Sequence, residues 1–260
     1  MKRILFWLRV AVLFLVRSGR VTLVLALMIF SAVAALVFLS SLATGVNDAM
    51  IRNSVGLYTG HISGDNLPTA VAPEMLQVGG VTRVLRRGAL PGMLSVGQRL
   101  VPVTLMVVVP EAEVASTGLP RKIVDGTYLA PASDQILLSA YLAEQLGVTT
   151  GATLSFVDGR AQRDYEFTVC GIYRTEVDRL DYGIAFVADK GREIDRDTWQ
   201  AAIFIEAGVP PERVKARLEK SVPGNAVFQS WLDRMPDLRQ LIDLNYISMT
   251  LVTILVFSVV

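Results

Sequence analysis

From Val21 to Ala43 the chain carries 23 consecutive residues without a charge. Wound as a helix, such a run is about 35 Å long and covers a hydrocarbon core of about 30 Å. A stretch this apolar must lie in lipid or inside a large core, and the composition favours lipid. With 52% hydrophobic and 19% charged residues and a mean hydropathy of +0.46, the chain is too apolar for an ordinary soluble domain. A second uncharged run starts near Tyr246 and is still apolar at Val260. Its 14 residues from Ile247 onward fall short of the ~20 that a span needs, so the sequence is expected to break off inside a second membrane helix.

Lys2, Arg3, Arg9, Arg17 and Arg20 precede the first span, and the first acidic residue, Asp48, follows it. The positive-inside rule then puts the N-terminus in the cytoplasm and the main domain outside the cell inner (cytoplasmic) membrane. Ala32-Val33-Ala34 imitates a signal cleavage site, but the apolar run continues through Leu36, Val37, Phe38 and Leu39, where a cleavage region turns polar. A retained anchor is expected. Ile4 to Val16, apolar around Arg9, reads as an interfacial helix on the inner leaflet with Phe6 and Trp7 among the headgroups, or else as an extension of the span. The expected division is an interfacial helix over 1–19, a transmembrane helix over 20–45 with a stalk to about 55, an extracytoplasmic α+β domain over 56–235, and a stalk and truncated second helix over 236–260.

Outside the five N-terminal basic residues, 20 Lys and Arg face 24 Asp and Glu, a net charge of −4. No basic patch remains for a nucleic-acid partner. The lone Cys170 has no partner for an internal disulfide, so the domain must be held by its core. No G-x-x-x-x-G-K-[ST] loop is present, so any ATP must be bound by another chain and no cofactor is expected. One histidine and one cysteine nearly exclude a His/Cys zinc site. His61 has no evident serine or cysteine nucleophile beside it, and Gly60-His61-Ile62-Ser63-Gly64 holds serine in the fourth position rather than the third of a nucleophile elbow. Glu176, Asp178 and Asp181 offer oxygens to a hard cation, or simply form a solvated loop. Trp231 reads as a packing aromatic or as the lining of a substrate path. No catalytic, metal or cofactor-binding residue is assigned.

Helical spacing at Val46, Met50 and Ile51 extends the first membrane helix. Strands are expected over Leu57–Ser63, Val81–Leu85, Val101–Val109, Thr153–Val157 and Tyr165–Tyr173, the last two joined by an Asp158-Gly159 turn. Tyr165, Phe167, Val169 and Tyr173 are expected on one face. Ser139 caps a short helix ending at Gly147, Pro210-Pro211 opens another with Val214 and Leu218 inward, and Pro236-Asp237 starts a long one through Leu238, Leu241 and Ile242.

Four local patterns occur in a telling order. They are the basic start and first span ending in Ser40-Ser41-Leu42-Ala43-Thr44-Gly45; Thr59-Gly60-His61-Ile62-Ser63; the block from Ile136-Leu137-Leu138-Ser139 through Leu142-Ala143, Leu146-Gly147 and Gly151 to Val169-Cys170-Gly171-Ile172; and Trp231 with Pro236. In this order the chain resembles the MacB/FtsX-type permeases of ABC transporters, and its second and fourth patterns resemble the lipoprotein-releasing branch. Leu67 to Leu129 lies outside the resemblance. The resemblance implies a MacB-like periplasmic core domain and a noncatalytic permease. It also implies a cytoplasmic ABC ATPase as partner, a second permease copy or paralogue, and a lipophilic or lipoprotein-like cargo. FtsX-like relatives imply an alternative, a transmembrane regulator of cell-wall hydrolases; a membrane-anchored enzyme is a third class, with no convincing active constellation.

Overall fold

The computed structural model describes residues 6–7, 17–159, 163–175, 177–190, 198–222, 224–234 and 236–259. Apart from Phe6 and Trp7, both exposed, the proposed interfacial segment Ile4–Val16 lies outside them. In chain order the elements are α1 (Gly19–Ser54), a π-helical turn (Val55–Thr59), β1 (Ile62–Pro68), β2 (Val81–Val96), β3 (Arg99–Val108), α2 (Pro110–Val114), β4 (Ile123–Gly126), β5 (Gln135–Ser139), α3 (Ala140–Leu146), β6 (Thr153–Asp158), β7 (Asp164–Tyr173), α4 (Asp178–Asp181), β8 (Ile184–Ala188), β9 (Thr198–Ile205), α5 (Pro211–Ser221), β10 (Val227–Ser230), α6 (Trp231–Arg234) and α7 (Pro236–Val259). Short 3-10 turns occupy Pro73–Leu76 and Leu119–Lys122. The chain forms two compact units, Met1–Ala49 with Asp237–Val260, and Met50–Pro236.

In the first unit, Gly19–Val46 of α1 is long and apolar enough to cross a membrane. A soluble protein's core helix would bury such a stretch, but here Leu23, Phe30 and Phe38 are all more than 60% exposed. Two of its hydroxyls are satisfied without water, because Ser31 donates to the Met28 carbonyl and Thr44 to that of Ser40. In α7 the apolar stretch is shorter, Ile242–Ile254, and Thr250 and Thr253 donate back to Tyr246 and Met249 in the same way. The two helices share a cleft of about 190 Å³ lined by Leu36, Ser40 and Ala43 from one and Asn245, Met249 and Thr253 from the other.

The second unit is built on one ten-stranded sheet of order β10-β1-β9-β2-β3-β8-β5-β7-β4, in which β6 pairs with both β2 and β7. That double pairing closes a ring of six strands, β2-β3-β8-β5-β7-β6. Leu90, Leu105, Ile136, Leu138, Phe156 and Val169 fill the interior, and α3 adds Leu142 and Leu146. The ring can close at β2 because Gly92 has no side chain; a Cβ there would collide with the Val157 carbonyl and the Phe156 ring. Outside the ring a second cluster gathers Leu57, Met106, Leu119, Tyr173 and Phe186. β10, β1, β9 and the first half of β2 form an open lobe, whose face is covered by α5 through Val214 and Leu218.

Local sequence rules account for much of this. Ser139 accepts the Leu142 N–H at 3.0 Å and Gly147 closes α3 in the left-handed region. Pro211 opens α5, and α7 begins at Pro236. Three expectations need correction. Leu57 to Thr59 is a π-helical turn rather than strand, and β1 starts only at Ile62. The β6–β7 hairpin exists, but Val157 pairs with Asp164 and the Asp158 N–H donates to the Arg163 carbonyl. Asp158 is therefore a fully buried strand residue rather than part of the turn. Finally, β7 bulges against β5 between Val169 and Gly171, and one extra residue reverses the alternation of faces. Phe167 and Val169 point into the ring, while Tyr173 points out of it.

Candidate functional site where the chain enters and leaves the domain

The first and last strands of the domain are neighbours: β1 pairs antiparallel with β10, Ile62 opposite Ser230. Just beyond that pair, the Trp231 N–H donates to the His61 carbonyl at 3.1 Å. The chain thus enters and leaves the domain one hydrogen bond apart. Gly60 permits the tight approach before β1: its φ is +65°, and a Cβ would press on the Ile203 backbone.

Ion pairs fasten this corner. Arg234 in α6 donates to Asp65 in β1 at 3.0 Å, and Lys215 in α5 reaches Asp233 at 2.9 Å. The hydrogen bond from Lys215 holds the Asp233 carboxyl below its ordinary range. Next to them, Arg87 of β2 forms a two-pronged bond with Glu113 of α2, Nε to Oε1 at 2.6 Å and a second nitrogen to Oε2 at 2.8 Å, with both side chains no more than 3% exposed. Tyr128 belongs to the same neighbourhood; burial first, and the Glu113 charge second, push its hydroxyl's pKa up. A cavity of about 20 Å³, room for one water, is lined by Thr59, Ser63, Asp65, Arg87 and Arg234.

His61 sits in this corner as a packed residue. Its ring meets Phe204 edge-on at 6.0 Å, and Nδ1 accepts the Ile205 N–H at 3.4 Å. Burial lowers its pKa below the usual 6.5. Only a deprotonated Nδ1 accepts that bond, so the folded state favours the neutral ring, whereas the unfolded chain takes up a proton near pH 6.5. Stability from this residue is therefore present above about pH 6.5 and lost as pH falls toward the lowered folded value. Melting the full chain in detergent between about pH 7.5 and pH 5 should show a decline that His61→Gln flattens; an unchanged slope would contradict this role.

The other residues singled out by sequence are scattered. Trp231 is 9% exposed and belongs to the corner through its backbone. Cys170 donates to the Ile136 carbonyl, and burial pushes its thiol up to about 11. Asp181 is turned onto Thr175, accepting from its N–H and hydroxyl; Glu176 and the Asp178 side chain lie outside the described residues. Among the described residues no three His, Cys, Asp or Glu side chains form a metal-sized group. Sequence reading missed the Arg87–Glu113 and Arg234–Asp65 pairs, whose partners are 26 and 169 residues apart and carry no local signal.

No protein-family model and no curated protein matches the chain. Among solved structures it is similar to the extracellular domain of the noncanonic ABC-type transporter YknZ from Gram-positive bacteria, at 14% identity and a TM-score of 0.46, over 65% of this chain and 99% of that one. It is also similar to the periplasmic region of MacB from Actinobacillus actinomycetemcomitans, at 11% identity and a TM-score of 0.49, over 74% of this chain and 95% of that one.

Proposed function

We propose that this chain is the permease subunit of an ABC-type transporter, in which a partner ATPase in the cytoplasm drives extracytoplasmic movement of a lipophilic or lipoprotein-like cargo. The observation that carries the reading is the adjacency of His61 and Trp231. One apolar helix leads into the domain and another leads out, and both connect to the same strand pair, β1–β10. A change in the spacing of the two helices is then delivered to one corner of the domain, where one ion pair joins β1 to α6 and another joins β2 to α2. The order of the four sequence patterns supports the same assignment. In this reading the chain supplies no catalytic group, a second permease copy or paralogue completes the transporter, and the N-terminus lies in the cytoplasm of an inner-membrane protein.

The test joins location to activity. Cysteines introduced at the exposed positions Glu144 and Glu219 should react with a membrane-impermeant thiol reagent in intact spheroplasts. Cys170, with its raised pKa, should give little background. The full-length protein should copurify with an ATPase whose turnover survives substitutions in this chain's domain. Labelling only after lysis would reverse the orientation, and ATP hydrolysis abolished by changing a residue of this chain would end the permease reading.

A further inference from the structure

The open lobe has two faces, and only one of them is apolar. α5 covers the face that carries Trp199, Ala201 and Ile203 of β9. Strand alternation sends Gln200 and Ala202 to the other face, where the register sets Ser63 of β1 opposite Ala202 and Arg87 of β2 opposite Gln200. Asp65, two residues after Ser63 in β1, shares that face. Thr59 and Arg234 join these side chains around the cavity of about 20 Å³ in the ion-paired corner. The Asp65 carboxylate is half engaged there. Its Oδ2 accepts from Arg234 at 3.0 Å, whereas its Oδ1, also buried, meets no donor among the described residues. A buried carboxylate oxygen without a donor is costly, so the cavity calls for a guest that carries a hydrogen.

We infer that one ordered water resides in this cavity, donating to Asp65 Oδ1 and accepting from the Arg87 guanidinium, so that it bridges the Asp65–Arg234 pair to the Arg87–Glu113 pair. The lining selects the guest. Its volume admits one water and little more. A cation would lie against two guanidinium groups, and a halide against an oxygen that needs a hydrogen. Water both donates and accepts. The Ser63 hydroxyl and the Gln200 amide, which also line the cavity, complete the roughly three hydrogen bonds that a buried water makes. The assignment concerns the interior of the domain alone and stands whether or not the chain is a permease. Its consequence is mechanical: one pair joins β1 to α6 and the other joins β2 to α2, and the water makes the two pairs a single network.

The test is a crystal structure of the full chain at a resolution that shows ordered water, grown once with sodium chloride and once with sodium bromide. A single density peak should lie about 2.6–3.2 Å from both Asp65 Oδ1 and an Arg87 nitrogen, with no anomalous signal from bromide. An empty cavity, a peak out of reach of Asp65, or a bromide signal would each overturn the assignment. A pair of equal-sized substitutions then reads what the water's bond contributes. Ala202→Thr and Ala202→Val crowd the cavity alike, since Ala202 lines it, and both expel the water, but only threonine brings a hydroxyl that can donate to Asp65. In thermal melts of the full chain in detergent, the valine variant should unfold about 5 °C below the threonine variant. A valine variant that melts at or above the threonine variant would show that Asp65 Oδ1 needs no donor, and the bridging role would fall.

Discussion

Arg87→Met should lower the stability of the domain by about 3–5 kcal/mol, because the change leaves Glu113 charged, buried and without its partner. Arg87 is 3% exposed and Glu113 1% exposed, so bulk water does not reach the missing bonds, and the adjoining cavity has room for only one molecule. The same reasoning gives the double variant the opposite character. Arg87→Met with Glu113→Leu removes both charges and fills the space with apolar groups, and it should recover most of the loss. Denaturant unfolding of the full chain in detergent, followed by tryptophan fluorescence, measures both; Trp199 lies under Arg86 in the adjoining lobe, 5.4 Å from guanidinium to ring. A single variant within about 1 kcal/mol of wild type would show that the pair is hydrated and weak.

The second large effect is on coupling. α1 continues without a break from Gly19 to Ser54, so Met50 is inside a helix, and proline there removes one backbone hydrogen bond and clashes with the preceding turn at a cost of about 3 kcal/mol or more. On the permease reading, Met50→Pro in the full-length protein with its ATPase should insert and assemble yet lose transport. Met50→Ala, which keeps the helix, should retain it. Full transport by a correctly inserted Met50→Pro protein would mean that this stretch transmits nothing. Asp181 is unsuitable as a neutral control position, since its carboxylate holds Thr175 in place.

What the sequence revealed follows from the range of the forces involved. Helix starts and stops are decided within four residues, and so Ser139, Gly147, Pro211 and Pro236 were legible one at a time. The first span was legible because lipid imposes a length and a composition on 20 or so neighbours at once. Strand partners obey no such local rule. Nothing near Gly92 announces that β6 will close on it, and nothing near Val169 announces the bulge that turns Tyr173 outward. The corner of ion pairs was hidden for the same reason: Asp65 and Arg234 look like surface charges until the sheet brings β1 beside β10. His61 stood out as the sole histidine, but what it does depends on Ile205 and Phe204, which reach it only through the pairing of β1 with β9.

β2 belongs to both lobes. Its residues Val81 to Arg87 pair with β9 in the open lobe, and Gly92 to Ser95 pair with β6 in the ring, while β3 runs alongside from Arg87 to Val96. Any attempt to dissect the domain must therefore cut through a continuous ladder of hydrogen bonds. A fragment ending before Val81 keeps only β1 of the open lobe, and one beginning after Arg87 lacks both β1 and the part of β2 that flank β9, leaving β9 with bare edges that invite association with other chains. Truncation for crystallisation, or grafting one lobe onto another scaffold, should keep Val81 to Val96 whole and carry both lobes with it.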